Sequence, residues 1–152
     1  MGYDTRQARQ DLLDAVADAI DDLARALAAL GVAYEQLDEH HADELEEVLF
    51  GPVQLAYGRA RRTHTAFATL HRLPVRTFET PAPGAPSTGA KGFVEEAVAA
   101  VGHADVTLAT LQDSMLPIEV GDPELRAGLA NVRELVDGVR RNARALTRTI
   151  GR

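Results

Sequence analysis

His40, His41 and Glu44 stand within about one helical turn of one another, and imidazole beside carboxylate at that spacing is a donor set for a divalent ion. Asp38, Asp43 and Glu47 extend the cluster. The competing reading is a solvated acidic turn, with Asp43 and Glu44 favourably placed at the positive start of the next helix. The second reading is the expectation, with His40, His41 and Glu44 as weak candidates for a metal. Carboxylate-bridged metal bundles use Glu-x-x-His on facing helices, and none of the five histidines has Glu three residues before it. Haemerythrin-like bundles would need a His-x-x-x-His pair and third-helix ligands, which are missing. No cofactor is expected.

Arginine offers a second chemistry. Arg72, Arg76, Arg144 and Arg148 are candidates for binding an anion, since guanidinium forks suit carboxylate and phosphate. A third group is Phe50, Tyr57, His64 and His71, at successive seven-residue steps, which places them on one flank of a helix. That flank is read as half-buried packing, or else as a subunit interface or groove wall, where aromatic rings are enriched. The string Arg62-Thr63-His64-Thr65-Ala66-Phe67-Ala68 resembles the helix of histidine phosphotransfer domains. The resemblance implies an exposed, phosphoryl-accepting His64 on a four-helix bundle. Phe67 and Ala68 stand where that family has Lys and Gly, so the residues that would support the chemistry are replaced. There is no Gly-x-Ser-x-Gly, no P-loop and no Gly-x-Gly-x-x-Gly, and Ser87 and Ser114 have no adjacent base.

The elements that must position these residues show in the apolar spacing. Steps of three and four link Leu13, Val16, Ile20, Leu23, Leu27, Leu30, Tyr34 and Leu37 in one seam. Others run from Leu49 to Leu70, from Val94 to Met115 and from Leu125 to Ile150. Four amphipathic helices predict an all-α, antiparallel up-down-up-down four-helix bundle in a single domain, residues 1–152. The expected spans are about 4–37, 43–73, 92–116 and 123–150. The first turn is placed at Asp38–Ala42, and Gly51-Pro52 becomes a kink in the second helix because proline lacks an amide donor and crowds the preceding turn. Residues 74–91 hold four of the seven prolines and read as a long irregular connection. Pro117 is expected to stop the third helix, and Asp122-Pro123-Glu124 to start the fourth with an Asp cap.

In that topology one end collects Glu35, Asp38, Glu39, Asp43, Glu44, Glu46, Glu47, Glu119, Asp122 and Glu124. The other collects Arg6, Arg9, Arg72, Arg76, Lys91, Arg144, Arg148 and Arg152, giving an end-to-end dipole. Arg126, Arg133 and Arg140 are expected to bridge to a neighbouring helix. Small residues flank the first seam (Ala17, Ala24 and Gly31 on one side, Ala19, Ala26 and Ala33 on the other), which permits close approach inside the bundle or against a second copy.

A chain of 152 residues can bury a sizeable core unaided, and the absence of cysteine excludes thiolate chemistry. A net charge of −7 argues against nucleic acid as a partner. No signal peptide or membrane-spanning stretch is evident, so a cytoplasmic location is expected, with no membrane partner. Fifteen arginines against one lysine suggest a high-GC bacterial genome. The expectation is a small interaction or scaffold protein, a homodimer without catalytic activity. The alternatives are a small-ligand or anion binder and, behind it, a metal-binding or phosphotransfer bundle.

Overall fold

Asp4 opens the first helix by accepting a hydrogen bond from the Gln7 amide at 2.7 Å, satisfying one of the donors that a helix start leaves free. The computed structural model describes residues 4–82 and 89–150, with side chains as far as Leu146. Its elements are α1 (Thr5–Gln36), α2 (Glu39–Leu45), a π-helical turn (Glu46–Phe50), α3 (Gly51–Leu70), α4 (Gly89–Asp113), α5 (Leu116–Glu119) and α6 (Pro123–Ile150). The described residues contain no strand.

The first turn is shorter than expected. Leu37 ends α1 and Asp38 caps α2, its carboxylate accepting from the His41 amide at 3.0 Å. His40, His41, Asp43 and Glu44 therefore lie inside a helix, not in or just after a turn. The expected second helix is continuous from Glu39 to Leu70 but changes pitch before Pro52. Proline cannot donate to the carbonyl four residues back, and its ring crowds it. The wider π turn relieves both, with the Gly51 amide bonding to the Glu46 carbonyl five residues earlier. The Val48 carbonyl, four residues before Pro52, accepts from Asn142 Nδ2 of α6 at 3.4 Å.

At its far end α3 closes on Arg72 in the left-handed region (φ 56°). The amide of Arg72 bonds to the Thr69 carbonyl, and that of Leu73 to the Ala68 carbonyl at 2.8 Å, the pattern of a Schellman cap with buried Leu73 as its apolar anchor. Pro117 does not stop the third helix. That helix ends at Asp113, Met115 turns the chain at φ 69°, and Pro117 sits in the first turn of α5, where its missing amide costs nothing. Asp122 caps α6 as expected, accepting from the Leu125 amide at 2.8 Å.

α1 packs against α4 and α3, and α6 packs against α3 and α4. Polar contacts give the directions. Arg6 at the start of α1 donates to the Arg72 carbonyl at the end of α3 (3.3 Å), and Arg9 donates to the Val120 carbonyl beyond α4 (3.0 Å). Asp22 midway along α1 meets His103 midway along α4. Both α3 and α4 thus run opposite to α1, so the expected up-down-up-down order does not hold. The end of α3 and the start of α4 therefore lie at opposite ends of the bundle. Eighteen residues reach at most about 60 Å extended, enough for a helix of 20 residues, about 30 Å long.

The core is aliphatic and Ala-rich, with Phe67, Phe78 and Phe93 its buried aromatics among the described residues. Ala17, Ala19, Ala24, Ala26 and Ala33 are all buried. The alanines of these flanks are therefore taken up inside the molecule, while Gly31 is half-buried with open space beside it. Among the described residues the buried polar ones are Asp22, Thr63 and His64.

Candidate functional site

Phe50, Tyr57, His64 and His71, on the π-helical turn, on α3 and just beyond it, do not form one surface. Phe50 meets Tyr34 of α1 edge-on at 6.1 Å, and Tyr57 lies beneath the Arg61 guanidinium at 5.2 Å. His71 is half-buried against Phe67 (4.4 Å between ring centres), its Nε2 3.4 Å from Asp122 Oδ2. His64 is 3 % exposed and covered by Phe78, whose ring stands edge-on to it at 5.2 Å. This overturns the exposed imidazole that the phosphotransfer resemblance requires. His64 Nδ1 has no hydrogen-bond partner. Burial pushes its pKa down, the neighbouring Arg76 charge pushes the same way, and Asp14 opposes them.

The arginines are divided as well. Arg72 lies where α3 ends beside the start of α1, and Arg76 is held by Asp21 at 2.8 Å with its guanidinium 4.9 Å from the Phe78 ring centre. Arg144 belongs to the other end of α6, two residues past Asn142 and its Val48 contact. The 20 residues from Asp122 to Asn142 span about 30 Å, so Arg72 and Arg144 cannot share an anion. The Arg148 side chain lies outside the described residues. The expected dipole is lost for the same reason: the acids of residues 35–47 sit beside the arginine-rich end of α6, and Glu119, Asp122 and Glu124 sit beside Arg6, Arg9 and Arg72. Arg133 and Arg140 do bridge to a neighbouring helix, both through Asp105 of α4, at 3.1 and 2.9 Å.

At α2, Asp38 Oδ2 takes His41 Nδ1 at 2.7 Å, and the His40 ring meets that of His41 edge-on at 5.4 Å. The Asp38 carboxyl is held below its ordinary value by the His41 backbone amide first and the imidazole second. Among the described residues no three His, Asp or Glu side chains are placed to hold a metal ion, and Glu44 does not join the histidines in such a set.

Sequence reasoning missed one polar cluster. Asp22 is buried on α1, bonded to the Arg25 guanidinium and, at 2.7 Å, to Nδ1 of the exposed His103. Its signal was available: Ala19, Asp22, Ala26, Ala29 and Ala33 form a second row at three- and four-residue steps, and Asp22 is its one acid. That row is the side of α1 that faces α4, where the carboxylate meets His103 with one oxygen and Arg25 with the other.

The face formed by α3 and α6 is different in kind. Leu55, Arg59, Arg62, Ala66 and Leu70 make a row along α3 at steps of four, three, four and four. Leu55 and Leu70 are 63 % and 67 % exposed. Beside the row runs a groove of about 380 Å³ with Thr63, Phe67 and Leu125 in its floor, Arg59 and Arg62 toward one end, and Asp122 and Glu124 at the other. The helices approach closely there because Gly128 has no side chain: a Cβ on it would lie 2.8 Å from Thr63 Cγ2 and closer still to its hydroxyl. The Thr63 hydroxyl turns back to the Arg59 carbonyl at 2.8 Å, so the groove floor carries no orphaned polar group at that point. Among the described residues, Arg59, Arg62 and Glu124 make no ion pair with one another or with any neighbour.

Comparison with protein-family models, with curated proteins and with solved structures finds no match to this chain. No helix among the described residues is long and apolar enough to cross a membrane.

Proposed function

We propose that the chain is a small cytoplasmic interaction protein, a four-helix bundle of mutually antiparallel neighbours that associates with itself and has no catalytic role. The observation that carries this reading is the outward row of α3, where Leu55 and Leu70 stay exposed while Val53 and Phe67 of the same helix are buried. Two large aliphatic side chains left exposed on one helical row offer apolar area that a partner would remove from water. The histidines support no rival of comparable weight: His64 is enclosed, His71 closes a helix end, and His41 braces the α2 cap.

Light scattering on a size-exclusion column, across a wide range of loading concentrations, tests the proposal. The expected mass is twice the 16.3 kDa of one chain, falling toward one chain on dilution. A single-chain mass at every concentration rejects self-association.

A further inference from the structure

The α3–α6 face carries its own complement. Arg59 and Arg62 lie toward one end of the groove, Asp122 and Glu124 at the other, and apolar side chains occupy the middle. A twofold interface brings a patch against an inverted copy of itself, so a face with opposite charges at its two ends pairs with its own copy. We infer that this face is the self-association surface, and that the occupant is a second copy of the chain with its α3 antiparallel to the first. The inference rests on the self-association reading and adds the surface and the register.

The row dictates the register. Inverting Leu55, Arg59, Arg62, Ala66 and Leu70 about a point near Arg62 sets Leu55 of one copy against Leu70 of the other. Arg59 then lies over Ala66 of the second copy, a small residue that leaves room for the guanidinium to reach that copy's Glu124. Both leucines lose their exposure, and Arg59, which makes no ion pair among the described residues, acquires one, while the two copies of Arg62 meet at the twofold axis. The arginine stems cover apolar surface while their heads stay at the rim, where pairing fixes orientation more than affinity. The flank of Phe50, Tyr57, His64 and His71 offers no such surface, since Phe78 closes over His64, and the alanines that flank the α1 seam are buried.

Sedimentation equilibrium of four proteins tests this: the wild type, Leu55→Glu with Leu70→Glu, Arg59→Glu with Arg62→Glu, and Glu124→Arg. All the changed side chains lie at or beside the outer surface, and circular dichroism verifies that each variant keeps the wild-type helix content. The leucine pair is expected to weaken the dimer by about a hundredfold or more, because the leucines at both ends of the row lose their burial and charge takes their place. Each charge reversal weakens self-association on its own. Mixing the two reversed proteins restores a dimer, because each contact between positions 59 and 124 is then either native or has its charges exchanged, and the two residues at position 62 are oppositely charged. If the wild type is a dimer that survives the leucine changes, this face is not the interface, while the self-association reading stands. If the leucine changes break the dimer but mixing restores nothing, the antiparallel register is wrong. If the wild type is a monomer, both the inference and the reading beneath it fall.

Discussion

His64 occupies a site that favours the neutral ring. Its Nδ1 lacks a partner, Phe78 closes over it, and the nearest formal charges are Arg76 from the segment after α3 and Asp14 from α1. Arg76 also pairs with Asp21, so it stays in place beside the imidazole. Burial and that guanidinium place the folded-state pKa below the ordinary value of about 6.5. The unfolded chain therefore binds a proton more readily than the folded one. Stability is at its full value above about pH 6.5 and is lost as pH falls from there toward the folded-state pKa, below which this contribution levels off. His64→Phe keeps an aromatic ring under Phe78 and removes the proton. The expected outcome is that urea midpoints of the wild type drop between pH 7 and 5 by more than those of His64→Phe. Equal pH slopes for the two proteins would show that His64 is not the group responsible.

At the scale of the element, the α3–α6 contact turns on one missing methyl group. Gly128 is buried mid-helix, where glycine costs about 1 kcal/mol relative to alanine in helix propensity alone. Close approach to Thr63 accounts for its presence, since any Cβ there collides with the threonine side chain. Gly128→Ala is expected to lower stability by about 1–3 kcal/mol, the range for overpacking, despite the gain in propensity. Thr63→Ala in the same protein relieves the collision and recovers most of the loss. A denaturant-unfolding cycle over the four proteins measures the coupling, and additive effects would mean that the two residues do not meet. Arg72 illustrates the opposite bargain: it takes a left-handed conformation usually left to glycine, and the buried Leu73 anchor follows directly from that turn.

Across the whole molecule, the helices were legible in the sequence because burial imposes a period on side chains that a single row of residues displays. The Asp122 cap and the disturbance at Gly51-Pro52 were legible because each follows from which backbone donors exist. Direction was not. A seam of threes and fours has the same spacing whichever way its helix runs, so Val94 to Met115 could be assigned to a helix but not to an orientation. The placement of Arg72, Arg76 and Arg144 at a common end failed with that orientation, and the exposed row of α3 was overlooked because Arg59 and Arg62 interrupt its apolar pattern. The length of the connection held the missing information: a turn between adjacent helix ends needs only a few residues, and residues 71–88 are long enough to run the full height.

That topology makes a distance prediction, and the absence of cysteine allows a clean test of it. If α4 runs opposite to α1, residue 91 lies near the end of α1 while residue 113 lies 22 residues down α4, about 33 Å away. Glu35, Lys91 and Asp113 are all exposed, so a spin label at each disturbs little packing. Dipolar spectroscopy on Glu35→Cys with Lys91→Cys should give a short distance, under about 20 Å. Glu35→Cys with Asp113→Cys should give a separation longer by roughly the length of α4. An up-down-up-down chain would reverse the two values, because α4 would then start beside the end of α3. At low protein concentration, or with an excess of unlabelled chain, the signal comes from within one molecule. The distances then report the fold independently of whether the α3–α6 face pairs.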